Sequence, residues 1–198
     1  MRTLVGAVGY RNLRDFSAAF EVIARLEGDS HLCSKSERGE GGCPLGPDVV
    51  IEDTAYNPIA VVQWLQSLEE SERFDRAIFI SSLERGRTPG MLTAYRWDGG
   101  LPPDDQVQQA VTEAVTGIIA LENTVVIGGY FKVLPPEVVI IEIEPLDHEF
   151  GPELSTPVRA AIAPVVVLVR RLALDPDAID DIPVASLPLR HAQKARTL

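Results

Sequence analysis

Cysteine is scarce in this chain, with two in 198 residues, which is too few for a disulfide scaffold. Apolar residues never run on for the ~20 positions that a membrane-spanning helix needs, so no membrane insertion is expected. Basic residues are outnumbered: 18 Lys and Arg face 29 Asp and Glu, for a formal net charge of −11. That balance argues against a nucleic-acid backbone as the main partner, because phosphate binding needs a basic face. It equally disfavours an anionic membrane surface. Gly6-Ala7-Val8-Gly9 lacks the Gly-x-Gly-x-x-Gly of a dinucleotide fold, and no Gly-x-Ser-x-Gly elbow is present. What the chain does have is 45% apolar residues, enough for one real core. Met1 to Tyr10 is apolar, but it is short, has one Arg and has no small-residue cleavage site. A first strand fits it better than a signal peptide, and a cytoplasmic protein is expected.

Hydrophobic periodicity predicts alternating strands and helices. Thr3 to Val8 reads as a strand buried on both faces. Phe16, Ala19, Phe20, Ile23 and Leu26 mark an amphipathic helix over Asp15 to Leu26. Residues 28–47, rich in Gly, Ser and charge, read as an inserted loop. Asp48 to Ile51, Arg76 to Ile80, Met91 to Trp97 and Glu137 to Ile143 are the further strands, the fourth placed at an edge. Pro58 to Leu68 is a helix with proline in its first turn, and Asp104 to Val126 is one long helix ended by Gly128-Gly129. Ser155-Thr156-Pro157 opens the last helix, which Pro164 should bend. Residues 175–198 hold three prolines and no steady period, and read as a loosely held tail after a single domain over 1–174. The expected architecture is a three-layer α/β/α sandwich around a mostly parallel, twisted five-stranded sheet. With a 2-1-3 strand order, ligands meet the loops at Gly9–Asp15 and Ser81–Pro89.

The crevice candidates are Asp15, Glu52, Asp53, Ser81, Ser82 and Glu84. Asp15 is a first-turn carboxylate, and a helix dipole alone accounts for it. Glu52-Asp53 ends the second strand, where a carboxylate pair can share a proton, hold a metal or simply stay solvated. Ser81-Ser82 ends the third strand, but serine needs an adjacent base to react. Glu84 follows in the next loop. His31, Cys33 and Cys43 carry soft donors suited to zinc, copper or nickel. Nine residues separate the cysteines, unlike the tight pairs of structural zinc sites. Asp147-His148-Glu149 is a candidate proton relay or partner contact.

Four segments, in consistent order over residues 2–174, resemble the nickel–iron hydrogenase maturation endopeptidases. Arg2-Thr3-Leu4-Val5-Gly6-Ala7-Val8-Gly9 is similar to their opening strand. Phe74-Asp75-Arg76-Ala77-Ile78-Phe79-Ile80, running on to Pro89-Gly90, resembles the third strand and its turn. Pro135 to Pro145, with Val138-Val139-Ile140-Ile141, resembles the penultimate segment, and Leu154 to Ile162 the start of the final helix. The resemblance implies a protein that recognises the immature hydrogenase large subunit, from which such enzymes cut a C-terminal extension after nickel insertion. It also implies a metal site of an acidic residue in the first strand–helix turn, an Asp ending the third strand, and a His before the long helix. Here the first position holds Phe16 and the second Ser81, and residues 98–117 contain no His. A phenyl ring offers nickel no donor, and a neutral hydroxyl is a poor substitute for carboxylate. The expectation is therefore a protease-like protein of doubtful proteolytic activity, with no cofactor of its own and nickel arriving only with the partner. The alternatives are a non-catalytic chaperone or checkpoint for the large subunit, and a metal carrier using His31, Cys33 and Cys43.

Overall fold

A computed structural model describes residues 1–28 and 45–188. Six strands form one sheet: β1 (Thr3–Val8), β2 (Val49–Asp53), β3 (Arg76–Ser82), β4 (Leu92–Trp97), β5 (Glu137–Ile143) and β6 (Val184–Ala185). Their order is β2-β1-β3-β5-β4-β6, parallel through the first four, with β4 antiparallel to β5. The 2-1-3 start places the topological switch point between β1 and β3. Every residue of β1 and β3 is buried, which is why both read as continuous apolar runs rather than alternating ones.

Helices α1 (Ala18–Glu27) and α5 (Thr156–Leu174) cover one face, packing on Val5, Ile78, Ile80 and Ile141. On the other face α2 (Pro58–Ser67), α3 (Asp104–Val115) and α4 (Leu121–Tyr130) lie over Leu4, Phe79, Ile140 and their neighbours. Alternate residues of the same strands thus supply two cores, and the three-layer sandwich follows. Asn57 caps α2 by accepting from the Ile59 amide at 2.8 Å, with Pro58 at the first helical position.

Four sequence expectations change. The predicted single helix over Asp104 to Val126 is two. Gly117, at φ +87°, ends α3 with its amide on the Ala114 carbonyl, while the Ile118 amide reaches the Glu113 carbonyl. Those paired bonds are a left-handed glycine cap, which a periodicity count passes over. Gly128 and Gly129 lie inside α4 instead of ending it. A Cβ on Gly129 would stand 2.5 Å from Trp97, so the glycine permits close packing. The sheet has a sixth strand, so β4 is not an edge: β6 pairs with it through Arg96 and Val184. Finally, residues 175–188 are docked rather than loose. Ala178, Ile179 and Ile182 enter the α1/α5 core. Buried Arg76 holds their start by donating to the carbonyls of Leu172 (2.6 Å), Asp175 (3.1 Å) and Pro176 (2.7 Å). The last ten residues, 189–198, lie outside the described range.

The connection from β1 into α1 is tight. Its first turn is a 3-10 helix, Arg14–Ser17, so the helix predicted from Asp15 becomes regular only at Ala18. A Cβ on Gly9 would stand 2.4 Å from the Phe16 carbonyl oxygen, a backbone atom that cannot swing aside. Gly9→Ala is expected to cost about 1–3 kcal/mol through overpacking, read as a lower urea midpoint at unchanged slope. An unchanged midpoint would show that this connection yields freely.

Candidate functional site

The C-terminal ends of β1 and β3 flank the switch point, where an open α/β sheet ordinarily binds its ligand. Next to it, at the C-terminal ends of β3 and β5, this protein holds a charge cluster. Glu142 of β5 is fully buried and stands beside Ser81 of β3 in the sheet register. Its Oε1 accepts from Arg85 Nη2 at 3.0 Å and from the Tyr95 hydroxyl at 3.0 Å. Its Oε2 lies 2.8 Å from Arg87 Nη1. Glu122, in the first turn of α4, places Oε1 3.1 Å from the same Arg85 Nη2. The Arg85 side chain is only 3% exposed, whereas that of Arg87 is 25% exposed and lies nearer solvent. Just past the end of β5, Glu144 accepts from the main-chain amides of Arg85 (3.0 Å) and Gly86 (2.9 Å). The end of β5 and the residue that follows it therefore hold the 85–87 loop twice, by its side chains through Glu142 and by its backbone through Glu144.

Two guanidinium and two carboxylate groups balance formally. Burial pulls the Arg85 pKa down, but the hydrogen bond to Glu142 and the charges of Glu122 and Glu142 more than offset it, so the net direction is up. Tyr95 is held above the ordinary phenol range, first by burial and then by the charge and hydrogen bond of Glu142. The folded protein keeps this proton where an unfolded chain releases it near pH ~10, so the associated stability is whole below that pH and drains away above it. We expect the unfolding free energy read by urea titration to fall from about pH 10 upward, by up to ~1.4 kcal/mol per pH unit. Tyr95→Phe should remove that slope while costing about 1 kcal/mol at neutral pH. Identical alkaline slopes in the two proteins would assign the effect elsewhere.

The sequence candidates are distributed around this cluster. Asp15 is fully buried, and its carboxylate is consumed within the fold: it accepts from the amides of Leu146 (2.8 Å), Asp147 (3.0 Å) and Ser155 (2.7 Å) and from the Ser155 hydroxyl (2.7 Å). It ties the β5–α5 loop and the start of α5 to the β1–α1 connection, not to the dipole of its own helix. Ser82 donates to the Asp15 carbonyl at 2.6 Å. Ser81 is buried on the sheet. Glu84 is exposed. Glu52 and Asp53 sit on edge strand β2, with β1 and β3 between them and the Glu142 strand, and Asp53 is paired to Arg11 at 2.7 Å. Asp147 pairs with Arg14, and Phe16 packs edge-on against His148 with ring centroids 5.8 Å apart. His31, Cys33 and Cys43 lie outside the described residues.

Sequence reading missed Arg85, Arg87, Glu122, Glu142 and Tyr95. The signal was there: Glu142 interrupts a strand buried on both faces and Glu144 follows its end, and such buried carboxylates must find donors. Arg85-Gly86-Arg87, just after β3, is the natural supply.

A parallel 2-1-3-5 core with an antiparallel neighbour, two helices on one face and three on the other, is the fold of the nickel–iron hydrogenase maturation peptidases. The solved structures that share it include the hydrogenase 2 maturation peptidase from Thaumarchaeota archaeon SCGC_AB-539-E09, at TM-score 0.55 and 24% identity over 88% of this chain and 100% of that one. The hydrogenase maturating endopeptidase HybD from E. coli matches at TM-score 0.56 and 18% identity, over 87% and 93% of the two chains. The maturation protease HybD from Thermococcus kodakarensis matches at 0.54 and 16%, over 87% and 99%. At these identities the likeness is one of fold. No protein-family model matches the chain, and no curated protein matches its sequence.

The residues present do not fit the nickel site that the resemblance implies. Phe16 has no donor atom, and Ser81 offers a hydroxyl. Neither the approach to α3 (residues 98–103) nor that to α4 (residues 116–120) contains a histidine. Among the described residues no group of three or more His, Cys, Asp or Glu is arranged to hold a metal ion. The two carboxylates that do enter the crevice face guanidinium groups at 3.1 Å or less. No helix among the described residues is long and apolar enough to cross a membrane.

Proposed function

We propose that this chain is a maturation-protease-like binding protein: it recognises the immature large subunit of a nickel–iron hydrogenase in the cytoplasm and takes part in its maturation without cutting it. One observation carries the reading. Beside the switch-point crevice, where the protease fold would do its chemistry, the carboxylates Glu122 and Glu142 are paired with Arg85 and Arg87 at 3.1 Å or less, so neither is free to hold a metal or activate a water. The loops around it survive as a recognition surface. Leu146 and Phe150, beside the Asp15-anchored segment, are 59% and 84% exposed, an unusual degree for residues of that size. Nickel, in this reading, travels with the large subunit.

Mixing the protein with a nickel-loaded precursor tests this directly. We expect an unchanged precursor mass and a complex that co-elutes on size exclusion. Release of a C-terminal peptide would establish an endopeptidase, and absence of any complex would remove the partner.

A further inference from the structure

The geometry points to Arg85 as the resident cation of the crevice: its guanidinium occupies the position between Glu122 and Glu142 that a divalent ion would take in a carboxylate-lined site. Those carboxylates come from different elements, α4 and β5, and both direct Oε1 at one nitrogen, Arg85 Nη2, at 3.1 and 3.0 Å. The Tyr95 hydroxyl completes the shell on Glu142 Oε1 at 3.0 Å, and Arg87 covers Oε2 at 2.8 Å. Cation-bridged carboxylates from separate elements are how a metal site holds its parts together, and here a side chain does the bridging.

The delivery is built in as well. Glu144 fixes the main chain at Arg85 and Gly86, with Gly86 at φ +73°, a conformation glycine adopts readily. The cation therefore arrives on an anchored turn. Glu122 stands in the first turn of α4, where the helix dipole favours the charged carboxylate. A guanidinium stays protonated across the physiological range and cannot be chelated or diluted away. An added divalent ion would meet two carboxylates whose charge is already balanced by two fixed guanidinium groups. The crevice is thus closed and metal-independent, whether or not the chain binds a hydrogenase subunit.

The test uses the full chain with His31→Ala, Cys33→Ser and Cys43→Ser as background, so that the inserted loop contributes no imidazole or thiol donors. After equilibrium dialysis against Ni²⁺ or Mn²⁺, bound metal is counted by mass spectrometry and thermal unfolding is followed with and without EDTA. We expect no stoichiometric ion and the same Tm in both buffers. Arg85→Ala on this background should gain one ion and a metal-dependent rise in Tm, or fold only when metal is added. Adding Glu142→Gln should abolish that gain. One equivalent of metal in the background protein, lost on Glu122→Gln or Glu142→Gln, overturns the inference. A folded Arg85→Ala protein indifferent to metal overturns it too. Arg85→Lys, which keeps the charge, is expected to take up no ion, so uptake there counts against it even if the alanine variant does not fold.

Discussion

Glu142→Ala is expected to lower stability by about 3–5 kcal/mol, the cost of leaving a buried charge without its partner. The loss falls on Arg85, whose 3%-exposed side chain would keep Glu122 alone among the described carboxylates it pairs with, and on Arg87 and the Tyr95 hydroxyl. Denaturant unfolding measures it as a lower midpoint. Arg85→Ala alone should cost a similar amount, since it removes the buried guanidinium that both carboxylates face. The double variant should cost much less than the sum, with a coupling of about 0.5–3 kcal/mol. Simple additivity would mean the two groups do not stabilise one another. Because buried ion pairs are weak stabilisers relative to apolar packing, the cluster is better understood as setting the shape and chemistry of the crevice than as the source of the fold's stability.

Asp15→Ala is the second large effect. The carboxylate satisfies three main-chain amides and one hydroxyl. Each buried N–H left unpaired costs about 1–3 kcal/mol, so a total of roughly 3 kcal/mol or more is expected. The damage should be local before it is global. Amide exchange should quicken over residues 146–155 and at the start of α5 while β1 and β3 stay protected. Unchanged protection over 146–155 would show that the loop is held by other contacts, such as the main-chain bonds between Arg14 and Gly151 and between Gly151 and Asn12. If the proposed recognition surface is real, this variant should also weaken the complex with the precursor, because Leu146 and Phe150 lie on the freed loop.

Much of the fold was legible in the residues. The apolar runs of β1, β3 and β5, the Asn57-Pro58 and Ser155-Thr156-Pro157 helix starts, and the alternation of strand and helix all rest on local preferences. Those signals need no knowledge of what lies across the molecule. The misses share a cause. Gly117 and the Gly128-Gly129 pair were misread because a glycine's role depends on what faces it: a cap in one case, Trp97 and Leu134 in the other. The 175–188 segment has no period because it is held by Arg76, roughly a hundred positions earlier in the chain. The site was less legible still. Asp15 was visible as a carboxylate, but its four partners are 131 to 140 residues away.

What the sequence by itself determined is the layered α/β architecture, the acidic balance and the absence of a carboxylate at Phe16 and Ser81, because composition, short-range periodicity and residue identity suffice for them. Only the tertiary structure decided what fills the crevice instead. Arg85, Glu122 and Glu142 are distant in the chain, and buried charges acquire their meaning from the opposite charge that folding brings within 3.1 Å.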